Sequence, residues 1–391
     1  MKITLEVRHI FIPFRFSYGH AKASHRGVES IICSARDENG ALGIGEAVPR
    51  HYVTGEQCGS VMADVIRIFP VLAEAATTIG SLRAKLLELA DSWEGPFPSC
   101  AFCVVDLALV DLLTRQTGVP FHSALGPQQL RTLSYSGSIG MGKKWFLHAQ
   151  LLAYRAIGLK SFKLKVGSDH DMESLRAVRK TLGDDVRIFV DANGAWDRET
   201  AIRRIEELHT LGIWAIEEPL KRRAPQQTKQ QLDCEETLDE THFINNAWLR
   251  ERSPIALIAD ESVISRRSLQ MAVEHRAFDV VDIRLSKLGG GLLAASIVKQ
   301  ALDAGMQYYI GAMVGETAIL ATAGSQFGSV FSDHILIQGY SHGALHRRQI
   351  TTGGPRLQLG GRLPVGQSPG LGISLKPGAL DHVTRKKDLL E

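Results

Sequence analysis

A chain of 391 residues is too long for one ordinary domain, and 44% hydrophobic with 22% charged residues is the balance of a globular protein with a large core. A formal net charge of +3 without a long basic run gives nucleic-acid binding no electrostatic support, and the short run Arg385-Lys386-Lys387 reads as a solvated tail. No apolar run reaches the roughly 20 residues of a membrane span, because Asp106 and Asp111 interrupt the best candidate; an odd count of five cysteines behind an N-terminus without an apolar signal core predicts a reduced, cytoplasmic protein.

Residues 2–12 and 28–36 alternate like strands, and DENGALGIGE contains a hairpin turn centred on Asn39-Gly40. Helical patterns follow from Gln57 to Ala90 and from Ser99 to Gln116, the second stopped by Gly118 and Pro120. Cys100 and Cys103 form a C-x-x-C inside that second pattern, with no other pair to complete a zinc site, so they read as buried core thiols. Residues 1–125 therefore read as an α+β domain. A second unit, 126–355, begins with a strand near Leu133 in TLSYSGSI and ends with HILIQGY; the Gly- and Pro-rich remainder, 356–391, returns to the first domain.

Within the second unit, acids stand at the ends of successive strands: Asp191 in RIFVDANG, Glu217 in IWAIEEP and Asp260 in ALIADES, with Lys163 and Lys165 one strand earlier in SFKLKVG. Lys165 to Asp191 and Asp191 to Glu217 are both steps of 26 residues, one strand plus one helix; the step of 43 to Asp260 adds an insertion of roughly fifteen residues between Lys221 and Pro254. This α/β period predicts a parallel barrel of about eight strands, whose chemistry gathers at the carboxyl ends. Alternate strand residues point to opposite faces. Parity thus puts Lys163 and Lys165 inside together, and Glu217 inward with Glu218 outward. Taken singly, ADES reads as a helix cap and K-x-K as edge-strand solubility; jointly they supply a three-carboxylate seat for a hard cation beside an amine base.

With GIGEAVP, VTGE, FKLKVG, VDANGAW, IEEP, ADES, DIRLSKLGG and PGLGISL along nearly its whole length, the chain resembles the enolase superfamily, in the muconate-lactonising branch of the mandelate racemase-like family. The resemblance implies a (β/α)7β modified TIM barrel under an N-terminal α+β capping domain, whose segments 16–24 and 51–56 shape specificity. It implies Asp191, Glu217 and Asp260 as ligands of Mg2+ (or Mn2+), Lys165 as base and Lys163 as a holder of the substrate carboxylate. The superfamily stabilises an enediolate with a Lys or His base and Mg2+. A small-molecule carboxylate is the expected partner, with neither nucleic acid nor membrane, in a homo-oligomer. Ser136 and Ser138 on the first barrel strand, Asn193, Glu316 and Gln338 are candidates for substrate contact, and Glu261 and Lys287 are further site candidates.

Two departures bear on the reaction. Epimerases of the branch carry a second lysine on the sixth strand, where DIRLSK puts Arg284, 24 residues after Asp260. Lys287 lies three further on, with opposite parity, and reads as structural. An arginine is a poor base. Dipeptide epimerases also carry Asp-x-Asp on the last strand, where this chain has Gln338-Gly339-Tyr340. The expectation is one-face chemistry by Lys165, a cycloisomerisation or syn elimination, with Arg284 clamping the anion; amino acid or dipeptide epimerisation and a non-catalytic binding barrel are the alternatives.

Overall fold

The computed structural model describes residues 2–20, 23–139, 144–167, 171–222, 240–331, 335–338 and 345–390. The capping domain starts with a long antiparallel pair, β1 (Ile3–His20) and β2 (Ala23–Asp37), followed by β3 (Leu42–Ala47). The turn expected at Asn39-Gly40 forms: Asp37 Oδ1 accepts from the N–H groups of Asn39 and Ala41, and Gly40 takes φ 84°. Helices α1 (His51–Thr54), α2 (Cys58–Ala75), α3 (Ile79–Asp91) and α4 (Ser99–Gln116) follow. The single helix expected over 57–90 is two, because Thr78 leaves helical geometry and its Oγ1 caps the N–H of Ser81 at 3.1 Å. α4 is buried along nearly its whole length, Cys100 and Cys103 included. Strand β3 lies directly on it at Gly45, where a Cβ would come within 2.1 Å of the Val104 carbonyl oxygen.

The second unit starts with β4 (Thr132–Ser134), which pairs antiparallel with Arg362–Pro364 near the C-terminus and not with the barrel. The barrel strands proper are β5 (Gly137–Ile139), β6 (Ser161–Lys165), β7 (Arg187–Asp191), β8 (Ile213–Glu217), β9 (Ala256–Ala259), β10 (Val280–Ile283), β11 (Gln307–Ile310) and β12 (Ile335–Gln338), all parallel and hydrogen-bonded in chain order. Between them run α5 (Lys144–Ile157), α6 (Asp171–Leu182), α7 (Arg198–Thr210), α8 (Glu240–Arg250), α9 (Arg266–Glu274), α10 (Gly291–Asp303) and α11 (Ala318–Val330). Most of the insertion expected after Lys221 lies outside the described residues. The last strand, Thr384–Leu390, pairs antiparallel with β1, opposing Leu390 to Leu5. No helix among the described residues is long and apolar enough to cross a membrane.

Buried carboxylates fasten the two units by capping helix N-termini, where backbone N–H groups lack intrahelical partners. Glu46 of β3 accepts from the N–H groups of Thr317 (2.9 Å) and Leu320 (3.1 Å) at the start of α11. Asp106 of α4 takes Gly291 N–H at 2.5 Å at the start of α10, while its Oδ1 finds no partner among the described residues. Burial pushes the Asp106 carboxyl up to about 7. Because this lies above the ordinary unfolded value, the folded chain holds one more proton between about pH 4 and about pH 7, and stability falls as pH rises through that window. Asp106→Asn keeps the acceptor and removes the titration. The difference between the urea stabilities at about pH 5 and about pH 8 is expected to shrink in the variant by up to about 3 kcal/mol; an unchanged gap would sink this account.

Candidate active site

The barrel interior is built in layers. Phe189, Ala215, Ile258, Val280 and Tyr309, one from each of β7 to β11, form a buried apolar plug. Two residues further along a strand the side chain returns to the same face. There the first four strands carry Asp191, Glu217, Asp260 and Asp282, all fully buried, while the strand of Tyr309 reaches Gly311. Register puts Lys165 level with Asp191, and Lys163 level with Phe189.

The carboxylates meet the cations directly. Lys165 Nζ donates to Asp191 Oδ2 (2.5 Å) and Asn193 Oδ1 (2.7 Å), and the Asn193 N–H donates to Asp191 Oδ1 (2.9 Å). Lys163 Nζ bridges the carboxylates of Glu217 (2.6 Å) and Asp191 (3.0 Å). Arg284 donates through Nε to Asp282 Oδ2 (2.7 Å) and through Nη2 to Asp260 Oδ2, with Glu217 Oε1 at 3.6 Å. Tyr309 donates its hydroxyl to Glu217 Oε2 (2.7 Å). Burial alone would neutralise these groups, but Asp191 and Glu217 outweigh it to keep Lys163 firmly charged, and Lys163 and Lys165 hold Asp191 well below the usual carboxylate range. Glu217 goes the other way: burial, then the neighbouring Asp191, pushes it well up.

Backbone geometry fixes these positions. Glu218 sits in the left-handed region (φ 42°), and its outward carboxylate accepts from the N–H groups of Asp260 (2.7 Å) and Ser262 (2.8 Å) and from Ser262 Oγ (2.7 Å). A non-glycine held there is strained, and the three bonds hold it. The next strand end, with Asp260, is thereby tied to the turn after Glu217. Lys287 is fully buried and donates to the carbonyls of Asp260 (2.6 Å) and Asp282 (2.8 Å) and to Asp260 Oδ1 (3.1 Å), where it fastens two strand ends. From the capping domain, Tyr52 of α1 lies within electrostatic reach of Arg284, Lys165 and Glu261, and burial pushes its hydroxyl up.

The other expected site residues scatter. Ser136 precedes β5 and sits 3.5 Å from Ser161 Oγ, at the first residue of β6. That is about 13 Å of strand below Lys165. It lies at the amino end of the barrel, because TLSYSGSI is two short strands with different partners, and Ser136 is no part of the mouth. Asn193 spends its amide on Lys165 and, at 3.4 Å, on Glu261, so it orients the lysine. Burial, then Asp260, pushes Glu261 up to about 7. Glu316 accepts from Met313 N–H (3.0 Å) in the loop after β11, and burial with Glu46 nearby pushes it well up. The side chain of Gln338 lies outside the described residues.

Two members of the site were not anticipated. Asp282 stands two residues before Arg284 with the same parity, so applying the strand rule backwards from DIR would have found it. Glu217, Asp260 and Asp282 present oxygens within 4.8 Å of one another, whereas Asp191 is turned to the lysines. Tyr309 left only the alternation of QYYI as a trace.

This donor set fits a hard divalent cation. It is all oxygen, fully buried, and carries an uncompensated acceptor, since Asp282 Oδ1 has no hydrogen-bond partner among the described residues. Strand-end carboxylates beside strand-end lysines, under an α+β cap, define a metal-assisted barrel site of the enolase type. Residues 147–233 and 230–379 match the family model for enolase C-terminal domain-like proteins, and the chain belongs to that family.

Among curated relatives, it is 26% identical over 378 residues to a hydrophobic dipeptide epimerase of Enterococcus faecalis, covering 96% of this chain and 100% of that one. It is 25% identical to an N-succinyl-L-Arg/Lys racemase of Bacillus cereus, covering 100% of both. Among solved structures, a dipeptide epimerase from Cytophaga hutchinsonii complexed with Mg and D-Ala-L-Val superposes with a TM-score of 0.83 at 22% identity, over 100% of each chain. A muconate lactonizing enzyme from Pseudomonas fluorescens, complexed with muconolactone, gives 0.81 at 23%, covering 97% of this chain and 98% of that one. At such identities the structures speak for the fold. The expected superfamily stands, but its muconate-lactonising branch is not singled out, because the curated relatives are an epimerase and a racemase.

Proposed function

We propose that this chain is a Mg2+-dependent isomerase that removes the α-proton of a small carboxylate substrate with Lys165, acting on an amino acid whose nitrogen is acylated or in a peptide bond. The observation that carries it is the interior row: an amine at the end of β6, level with the first of four buried carboxylates. Both curated relatives act at the α-carbon of such amino acid derivatives, by their names.

An α-proton beside a carboxylate is weakly acidic because its loss puts a second negative charge on the same group. Glu217, Asp260 and Asp282, with Asp191 once it turns from the lysines, would hold the ion. When bound, Mg2+ supplies the positive charge that stabilises the enediolate. Lys163, kept charged between Asp191 and Glu217, adds a fixed cation at the substrate carboxylate. Asn193 and Asp191 hold the Lys165 amine in the row, where it can take the α-proton. Tyr52, within electrostatic reach of Arg284, Lys165 and Glu261, brings a capping-domain side chain to this row.

A second reading, one-face cycloisomerisation or syn elimination, is favoured by Arg284. The guanidinium stands at the end of the sixth strand, fixed by Asp282 and Asp260, and stays protonated.

Metal-dependent exchange tests the common step. N-succinyl amino acids and dipeptides incubated in deuterium oxide with Mg2+ are expected to gain deuterium at the α-carbon, and chelation is expected to stop it. An absence of exchange across such a library would leave a binding barrel instead.

A further inference from the structure

The helix-facing row of the capping sheet ends in metal-type donors, none of them a residue of the barrel site. On β1 that row runs Leu5, Val7, His9; on β2 it runs Ala35, Cys33, Ile31, Glu29, with His9 opposite Ile31 and Glu29 opposite Phe11. Leu5, Val7, Ala35, Cys33 and Ile31 are buried core residues. Beyond them His9 and Glu29 are diagonal neighbours on one face, and Cys58, the first residue of α2, is buried against them. One nitrogen of His9, one carboxylate oxygen of Glu29 and Cys58 Sγ all lie within 4.8 Å of one another.

Independent features point the group at a ligand. His9 Nε2 is buried without a hydrogen-bond partner among the described residues, 3.6 Å from Glu29 Oε1. An imidazole nitrogen left so costs stability that a bound ion would recover. A neutral imidazole nitrogen has a lone pair to give to an ion. Arg385 Nη1 donates to the same oxygen, Glu29 Oε1, at 2.8 Å and orients the carboxylate, as outer partners of metal ligands do.

We propose that His9, Glu29 and Cys58 form a second metal site, for a thiophilic divalent cation of the Zn2+ class. Imidazole, thiolate and one carboxylate suit Zn2+ and exclude Mg2+, which takes oxygen donors. The Cys58 thiol proton leaves to solvent as the sulfur–metal bond forms, and three protein donors leave a fourth position to water. The ion ties the β1–β2 pair to the start of α2, two residues after the segment that carries Tyr52.

The test uses the full chain saturated with Mg2+ and titrated with Co2+. The expected result is one equivalent bound with thiolate-to-cobalt charge-transfer absorption, displaced by one equivalent of Zn2+. Cys58→Ser is expected to remove that absorption, and His9→Gln to weaken Zn2+ binding at least about tenfold, with circular dichroism unchanged. If Cys58→Ser fails to fold, the His9→Gln result alone decides. No charge-transfer band in the wild type, a band that persists without Cys58, or Zn2+ affinity unchanged in His9→Gln overturns the site.

Discussion

Lys165→Ala is expected to lower exchange of the substrate α-hydrogen with solvent deuterium by about 10²–10⁴-fold, the contribution of a positioned general base, while divalent-cation binding persists. The separation follows from the layers. Lys165 touches the carboxylate row only through Asp191, and Glu217, Asp260 and Asp282 converge without it. Nuclear magnetic resonance follows the exchange, and Mn2+ paramagnetic resonance follows the metal. Exchange that survives the substitution would take the base role from Lys165. Metal binding lost together with exchange would mean that the lysine shapes the carboxylate seat. Asn193→Ala should reproduce part of the effect on exchange, since its amide oxygen holds the amine at 2.7 Å.

Much of this site was legible because barrel strands obey two short rules, a fixed strand-plus-helix period and alternation of faces. Steps of 26 residues located β6, β7 and β8, and parity inside each one turned Lys163, Lys165, Asp191 and Glu217 inward and Glu218 outward. Lys287 was expected on the opposite side from Arg284, but it lies in the turn 285–289 beyond the strand, where parity no longer applies, and it reaches Asp260 Oδ1 while Arg284 reaches Asp260 Oδ2. What failed was pairing, which the local pattern does not carry. TLSYSGSI alternates like one strand, yet its first half pairs with Arg362–Pro364, more than two hundred residues away, and this leaves Ser136 at the barrel's amino end. The single long helix over 57–90 failed on a capping threonine that hydrophobic periodicity does not register. Asp282 left no trace in the sequence beyond its shared parity with Arg284 in VVDIR. The His9, Glu29 and Cys58 cluster had no sequence signature, because a diagonal cross-strand pair meeting a helix start has no fixed spacing.

The stereochemical outcome depends on Arg284. On the one-face reading, and for a substrate of either configuration, α-hydrogen exchange in the wild type is expected to outrun inversion by at least about 10²-fold, because proton delivery to the second face needs a group that gives up and regains its proton near neutral pH. The guanidinium is doubly disqualified: its ordinary value is already far above neutrality, and against the opposing effect of burial, Asp260 and Asp282 push it further up. Arg284→Lys replaces it with an ammonium of shorter reach in the same bed of carboxylates. That variant is expected to narrow the ratio of exchange to inversion, measured by chiral chromatography alongside deuterium incorporation. Wild-type inversion as fast as exchange would decide for the epimerase reading, and would require an acid on the second face that is none of the residues placed here.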